Sequence, residues 1–431
     1  MKSVLIVAMI GVALVQAAES DVFHEWSIHF QATSIGDMHG DFPSPYEGEN
    51  SLPPHFEARV SLTATVFLAT KAGRHVQFVF DPELAGGKGF GDVTGIAGFP
   101  NGEIPRVAAP TPKPYLARGY IRAMWGFGDA SQKVEDGPNQ LAGELPVRRF
   151  TWSSGKFALT DFFDNNSYSH DPRRQFMNWS LMSNGAWDYP ADVRGYTVGT
   201  VGELTMPTWS LRAALAMEPS VANGPDLDTR VAKNRGAVAE WEQRYAPFGH
   251  AGALRVLGYL NREHAGTFRE AFLPDGTLNL DATRRNGTKK YGFGINLEQE
   301  ITRDIGVFGR YGWSDGKTEA WAFTQIDRSL SGGASIRGRL WKRGRDRIGI
   351  AAVQNRLSGD QRRFLAAGGL GFIIGDGRLN YRPESILETY YAWSALKQWT
   401  LTADYQHVAN PAYNHDRGPL DVWSLRIHWE R

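Results

Sequence analysis

The sequence predicts an all-β protein, a transmembrane antiparallel β-barrel of about 16 strands. Three observations carry the prediction. The chain opens on an export signal, no later apolar run is long enough for a spanning helix, and apolar and polar residues alternate through many segments of strand length.

The signal comes first. Lys2 precedes an apolar run from Val4 to Val15 and small residues at Ala17 and Ala18, the layout of a secretory signal peptide. An apolar core of roughly 12 residues is too short to anchor as a helix, which needs about 20 per crossing. The expected organisation is a signal peptide over residues 1–18, cleaved after Ala17 or Ala18, and one barrel domain over residues 19–431. The chain has no cysteine, so neither a lipidated N-terminus nor disulfides are expected. With 47 Lys+Arg against 46 Asp+Glu, the formal charge of +1 offers no electrostatic footprint for nucleic acid.

The alternation is explicit. Trp26, Ile28, Phe30 and Ala32 share one parity, and Ser27, His29, Gln31 and Thr33 the other. Val60, Leu62, Ala64, Val66 and Leu68 oppose Arg59, Ser61, Thr63 and Thr65, while Ile121, Ala123 and Trp125 oppose Arg118, Tyr120 and Arg122. The pattern recurs at Trp209–Leu215, Glu240–Tyr245, Tyr291–Glu298, Ser335–Leu340, Trp399–Gln406 and Trp423–Trp429. Aromatic residues, 12% of the chain, gather at the segment ends, where the girdles of a membrane barrel require them. About 17 segments qualify, and because single-chain bacterial barrels use an even number, 16 strands are expected over 18. Three connections are long, residues 84–114, 160–193 and 356–383, while Asp315-Gly316 reads as a tight hairpin turn.

Enzyme motifs do not hold up against spacing. GGKGFGDVTG lacks the Lys-Ser/Thr pair of a phosphate loop, and GGLGFIIGDG lacks dinucleotide spacing. His24, Glu25 and His29 miss the zinc-protease spacing and sit on a strand, and no G-x-S-x-G elbow occurs. No catalytic residue, cofactor or metal is assigned. The stretch DFFDNNSYSHDPRRQF, residues 161–176, reads in three ways: as paired carboxylates or a metal group, as turn-capping side chains, or as the lining of a pore.

The chain also resembles a known family. GKFALTDFFDNNSYSHDPRRQFMNWSLMSNGAWDYPADVRGYTVG, FQATSIGDMHGDFPSPYEGENSL, DPELAGGKGFGDVTGIAGFPNGE and LTADYQHVANPAYNHDRGP are similar to the carbohydrate-selective outer-membrane porins, the OprB-like family, over roughly residues 24–429. The resemblance implies a monomeric barrel in the Gram-negative outer membrane, embedded in its lipid, with long loops folded into the pore and small saccharides such as glucose as solutes. A less selective or organic-anion-preferring channel and an outer-membrane barrel enzyme are the alternatives.

A pore for neutral sugars needs hydroxyl-binding groups and apolar faces that hold weakly enough to release. Arginine supplies several donors in a fixed fork. By strand parity, Arg118, Arg122, Arg212, Arg337 and Arg339 are expected in the lumen, and the loops add Glu103, Asp164, Asp171, Arg173, Arg174, Trp187, Asp188 and Arg194. Each arginine reads equally as an ion pair bracing the wall.

Overall fold

A computed structural model describes residues 23–73, 75–103, 109–323 and 325–431; the expected signal peptide lies outside them. The strands run in chain order as β1 (Phe23–His39), β2 (Glu57–Ala72), β3 (Val76–Gly87), β4 (Ala109–Gly126), β5 (Ser131–Val134), β6 (Gly143–Pro146), β7 (Arg149–Phe157), β8 (Thr197–Thr205) and β9 (Trp209–Ala216). They continue as β10 (Arg235–Tyr245), β11 (Gly252–Ala265), β12 (Arg285–Thr302), β13 (Ile305–Ser314), β14 (Arg328–Gly338), β15 (Arg343–Arg356), β16 (Glu384–Ser394), β17 (Trp399–Ala409) and β18 (Leu420–Glu430). All but β5 and β6, which pair only with each other, join antiparallel around the barrel, and β1 closes on β18 from Gln31↔Glu430 to His39↔Val422. Among the described residues this is a closed barrel of 16 strands. Closure leaves no unpaired edge, as a hydrocarbon environment demands of any sheet that crosses it.

The period-2 pattern decides which face each residue takes. In β18, Leu420, Val422, Ser424, Arg426 and His428 are buried in the lumen while Asp421, Trp423, Leu425 and Ile427 are exposed. The outer face elsewhere carries Phe78, Phe80, Leu211, Leu215, Val256, Ile295 and Leu297, all exposed. Aromatic pairs mark both rims: Trp125 with Phe150 and Trp399 with Trp429 at one, Phe293 with Trp313 and Tyr405 with Trp423 toward the other.

Because the strands alternate in direction, their connections sort by rim. Among the described residues, one rim carries 40–56, 88–103, 158–196, 217–234, 266–284, 315–323 with 325–327, 357–383 and 410–419; the other carries 127–148, 206–208, 246–251, 303–304, 339–342 and 395–398. Long loops at one end and short turns at the other match the outside and periplasmic ends of such barrels. Two expectations need correction here. Asp315-Gly316 opens a loop running to 327 instead of a tight turn, and the first long connection is shorter than 84–114, because β3 and β4 continue pairing to Gly87↔Ala109.

The long loops fill the outer half of the lumen with their own core. Phe99, Phe163, Trp179, Trp187, Phe268, Phe323, Phe364 and Tyr413, from six different loops, pack in one cluster. Carboxylates projecting from the wall hold the loop backbone. Glu384 accepts from Ala97 N–H (2.9 Å) and Gly98 N–H (2.7 Å), Glu388 from Met177 N–H (2.6 Å) and Asn178 N–H (3.0 Å), and Glu240 from Asp164 N–H (2.7 Å). Backbone donors that leave water need partners, and these acidic side chains supply them.

Candidate functional site

The narrow part of the pore is built between β3, β4 and the loop 158–196. On β3, Gln77, Val79, Asp81 and Glu83 face inward by parity. On β4, the register shifts so that Asp81 pairs with Arg118 and Pro82 with Leu116, which leaves Ala117 as an extra residue. Such a bulge resets side-chain direction. Tyr115 and Arg118, three residues apart, therefore both reach the lumen, where Tyr115 donates its hydroxyl to Glu83.

The loop supplies the opposite wall. Its first turn, Leu159–Asp161, aims Asp161 at Arg118, whose Nε and Nη2 donate to the two carboxylate oxygens at 2.7 and 2.6 Å, while Nη1 reaches Asp81 at 3.4 Å. Further along, Arg173 donates from Nε to Glu103 (2.6 Å), from Nη2 to Glu83 (2.9 Å) and from Nη1 to Thr65 (3.1 Å). A short helix, α1 (Trp179–Met182), is capped by the Asn178 side chain, which accepts from Ser180 N–H. That turn seats Trp179 against Tyr189 and Phe323.

Two cavities meet at this point. The outer one, about 470 Å³, is lined by four arginines (Arg118, Arg173, Arg174, Arg194), four carboxylates (Glu83, Glu103, Asp161, Asp171) and the aromatic residues Phe67, Tyr115, Trp179, Tyr189, Tyr196 and Phe323. The inner one, about 460 Å³, is lined by Arg118, Arg122, Arg149 and Arg212 against Asp161 and Glu203. Arg118, Pro138, Asp161 and His170 border both, so they form the neck.

Charge at the neck follows from burial and pairing. Burial, then Arg310, pushes His170 below the ordinary histidine value, so its ring is neutral at neutral pH. Burial opposes the charge on Asp171, but Arg174, Arg173 and the Arg173 N–H outweigh it and hold its carboxyl below the usual range. For Glu103 burial prevails over Arg173 and raises the carboxyl. Arg194 differs from its neighbours. Its guanidinium stacks 4.0 Å above the Tyr115 ring, and its Nη1 is buried without a hydrogen-bond partner.

Comparison with known proteins agrees with this architecture. The family model for the carbohydrate-selective porin, OprB family, matches residues 86–430. The chain belongs to the OprB family of porins. It is thus an outer-membrane channel, and the barrel-enzyme alternative is set aside. Among solved structures, the high-pH structure of Pseudomonas putida OprB aligns with TM-score 0.68 and 15% identity over 95% of each chain. The outer membrane channel DcaP of Acinetobacter baumannii aligns with TM-score 0.51 and 10% identity, covering 96% of this chain and 99% of that one. No curated protein sequence matches.

In this OprB-family barrel the sequence-selected residues separate into three groups. Arg118, Arg173, Arg174, Arg194, Glu103 and Asp171 border the outer cavity, and Arg122 and Arg212 the inner one. Arg122 donates to Gln77, Tyr120 and the carbonyl of Asn139, while Arg212 is buried among Glu203 (2.7 Å), Glu240 (2.6 Å) and Glu242 (3.3 Å), an ion-pair network in the wall. Arg174 is half-exposed beside Asp171 and Glu430.

The second group is buried where loop meets wall and borders neither cavity. Asp164 holds Asn184 N–H (2.7 Å), Asn296 (2.8 Å) and Arg310 (3.2 Å). Asp188 holds Lys290 (2.9 Å) and the N–H groups of Trp321 (2.8 Å) and Ala322 (2.9 Å). Trp187 packs in the loop core against Phe163 and Tyr189, and Trp179 takes the cavity wall instead. The third group lies at the periplasmic rim. Arg337 sits one residue before the end of β14 in an exposed position, and Arg339 falls on a turn beyond the strand, paired with Asp304 at 3.1 Å, because β14 stops at Gly338. The residue-by-residue selection from sequence left out Asp81, which pairs with Arg118, and Glu83, Tyr115, Tyr196 and Pro138, which border the outer cavity.

Proposed function

We propose that the chain is a monomeric pore for facilitated diffusion of small saccharides, with rings of glucose size as preferred solutes. One observation carries the reading: the outer cavity is charge-balanced, four arginines against four carboxylates, and walled by six aromatic side chains. Such a lining suits a neutral solute that has a hydroxylated edge and an apolar face. Hydroxyl groups meet charged donors and acceptors that strengthen each bond, while ring carbons lie against Tyr115, Trp179 or Tyr189. About 470 Å³ falls within the range of small-molecule sites. Each chain closes its own barrel, so one copy suffices for transport.

The arginines are mostly occupied by carboxylates, so a passing sugar competes for hydrogen bonds already made and is held weakly. Weak, sequential contacts favour flux over retention. Arg194, stacked on Tyr115 with an unpartnered Nη1, is the donor best placed to take a hydroxyl without breaking an ion pair.

A second reading rests on the inner cavity, where four arginines face two carboxylates. That excess favours a sugar acid or another small organic anion. Purified protein in planar bilayers separates the two, with conductance titrated against glucose, maltose and gluconate. Block by glucose at millimolar concentration supports the saccharide reading, and block by gluconate alone replaces it with the anionic one.

A further inference from the structure

At the periplasmic rim one connection departs from its neighbours. Residues 127–148 span the gap between β4 and β7, where other described turns at this rim run over 206–208, 246–251, 303–304, 339–342 and 395–398. They form the hairpin β5–β6, in register from Ser131↔Pro146 to Val134↔Gly143. Beyond the hairpin, Gly137 and Gln140 exchange N–H to carbonyl bonds at 3.0 and 2.9 Å around the Pro138-Asn139 turn. Proline presets the first turn position, and Asn139, at φ 59°, takes the left-handed second.

This tip is inserted into the barrel. Asn139 donates from its side chain to Asp81 Oδ2 (2.9 Å), and Arg122 donates to the Asn139 carbonyl (3.0 Å). On the other side Asp136 lies 2.9 Å from His29 of β1, and Ser27 donates to the Gly137 carbonyl at 3.4 Å. Contacts to β1, β3 and β4 thus fix the tip against one arc of the barrel wall, on its lumen side. Pro138 borders both cavities, so the tip stands at the neck opposite the loop that enters from outside. The Asn139 Oδ1 is buried there without a partner, as is Asp81 Oδ1 beside it.

We propose that the Pro138-Asn139 tip is a second, periplasmic constriction element, which sets the size limit of the pore and offers Asn139 Oδ1 as an acceptor to a passing hydroxyl. The second part rests on the saccharide reading; the first does not.

The test uses the full chain with residues 131–146 replaced by a short Gly-Ser turn, alongside Asn139→Trp and Asn139→Ala. In planar bilayers, removal of the hairpin is expected to raise ion conductance by about twofold or more and to admit larger neutral polyethylene glycols, and Asn139→Trp to lower conductance by a similar factor. Asn139→Ala is expected to weaken glucose block with little change in conductance. Should the shortened chain fail to assemble, Asn139→Trp decides the matter. Unchanged conductance and size cut-off in assembled variants would overturn the proposal. If wild-type protein shows no sugar block while the hairpin variants still alter conductance, the solute assignment fails and the constriction stands.

Discussion

Arg118→Ala is expected to turn the pore toward cations, and the size of the effect can be worked from the neck. Arg118 lies between Asp161 and Asp81 and borders both cavities, so an ion in transit passes close to its guanidinium. A unit charge about 6 Å from that ion, at a water-like dielectric, is worth about 0.7 kcal/mol, or about threefold in partition. Acting with opposite sign on potassium and chloride, it shifts their permeability ratio by about tenfold. The zero-current potential across a KCl gradient measures the ratio. Asp161→Asn should move it the other way, and the double variant should return near wild type in selectivity while conductance stays raised. An unchanged potential in both single variants would refute the reasoning, since ions would then cross elsewhere.

Three further outcomes follow from the same geometry. Arg194→Ala, removing one charged donor, should weaken glucose block about tenfold, the worth of a hydrogen bond of about 1.5 kcal/mol, as read from block titrations. Asp188→Ala leaves Lys290 buried without its closest partner and frees two loop N–H groups; loop docking should weaken by about 3 kcal/mol, the low end for a broken buried pair because Glu263 remains near Lys290, and protease cleavage within 158–196 should report it. His170 has a lowered pKa, so its contribution to docking is fully present above its ordinary value of 6.5 and is lost as pH falls through the lower folded value; hydrogen exchange in the loop against pH should show this, and His170→Gln should abolish it.

Strand number and the lipid-facing surface were legible because one rule, alternation, governs them both. The lumen was only partly legible for the same reason. Parity holds as long as register holds, and it broke at Ala117, where a bulge turned Tyr115 inward against the count. The sequence did carry a trace of that break in Pro82, which has no N–H for the ladder. Arg339 failed at the other limit, since β14 ended before it. For the loop residues no periodicity exists to be read. Asp164, Trp187 and Asp188 look identical in type to Asp161, Trp179 and Asp171, and only the path of the chain decides which set meets the wall and which meets the cavity.

The buried acids of the wall explain why this lumen tolerates so much charge. A loop folded into a barrel brings backbone N–H groups away from water, and each left unpaired costs about 1–3 kcal/mol. Glu240, Glu384 and Glu388 answer that cost at Asp164, Ala97, Gly98, Met177 and Asn178, and each takes two or more donors. The arginines then answer the acids: Arg212 lies among three glutamates, and Arg173 spans Glu83 and Glu103. What reaches the outer cavity is therefore a set of mutually neutralised groups, rich in donors and acceptors and weak in net field. An unpaired arginine ring would instead have held every anion that entered. Folding the loops inward and the neutral solute proposed above thus make the same demand on the sequence, that charges be numerous and paired.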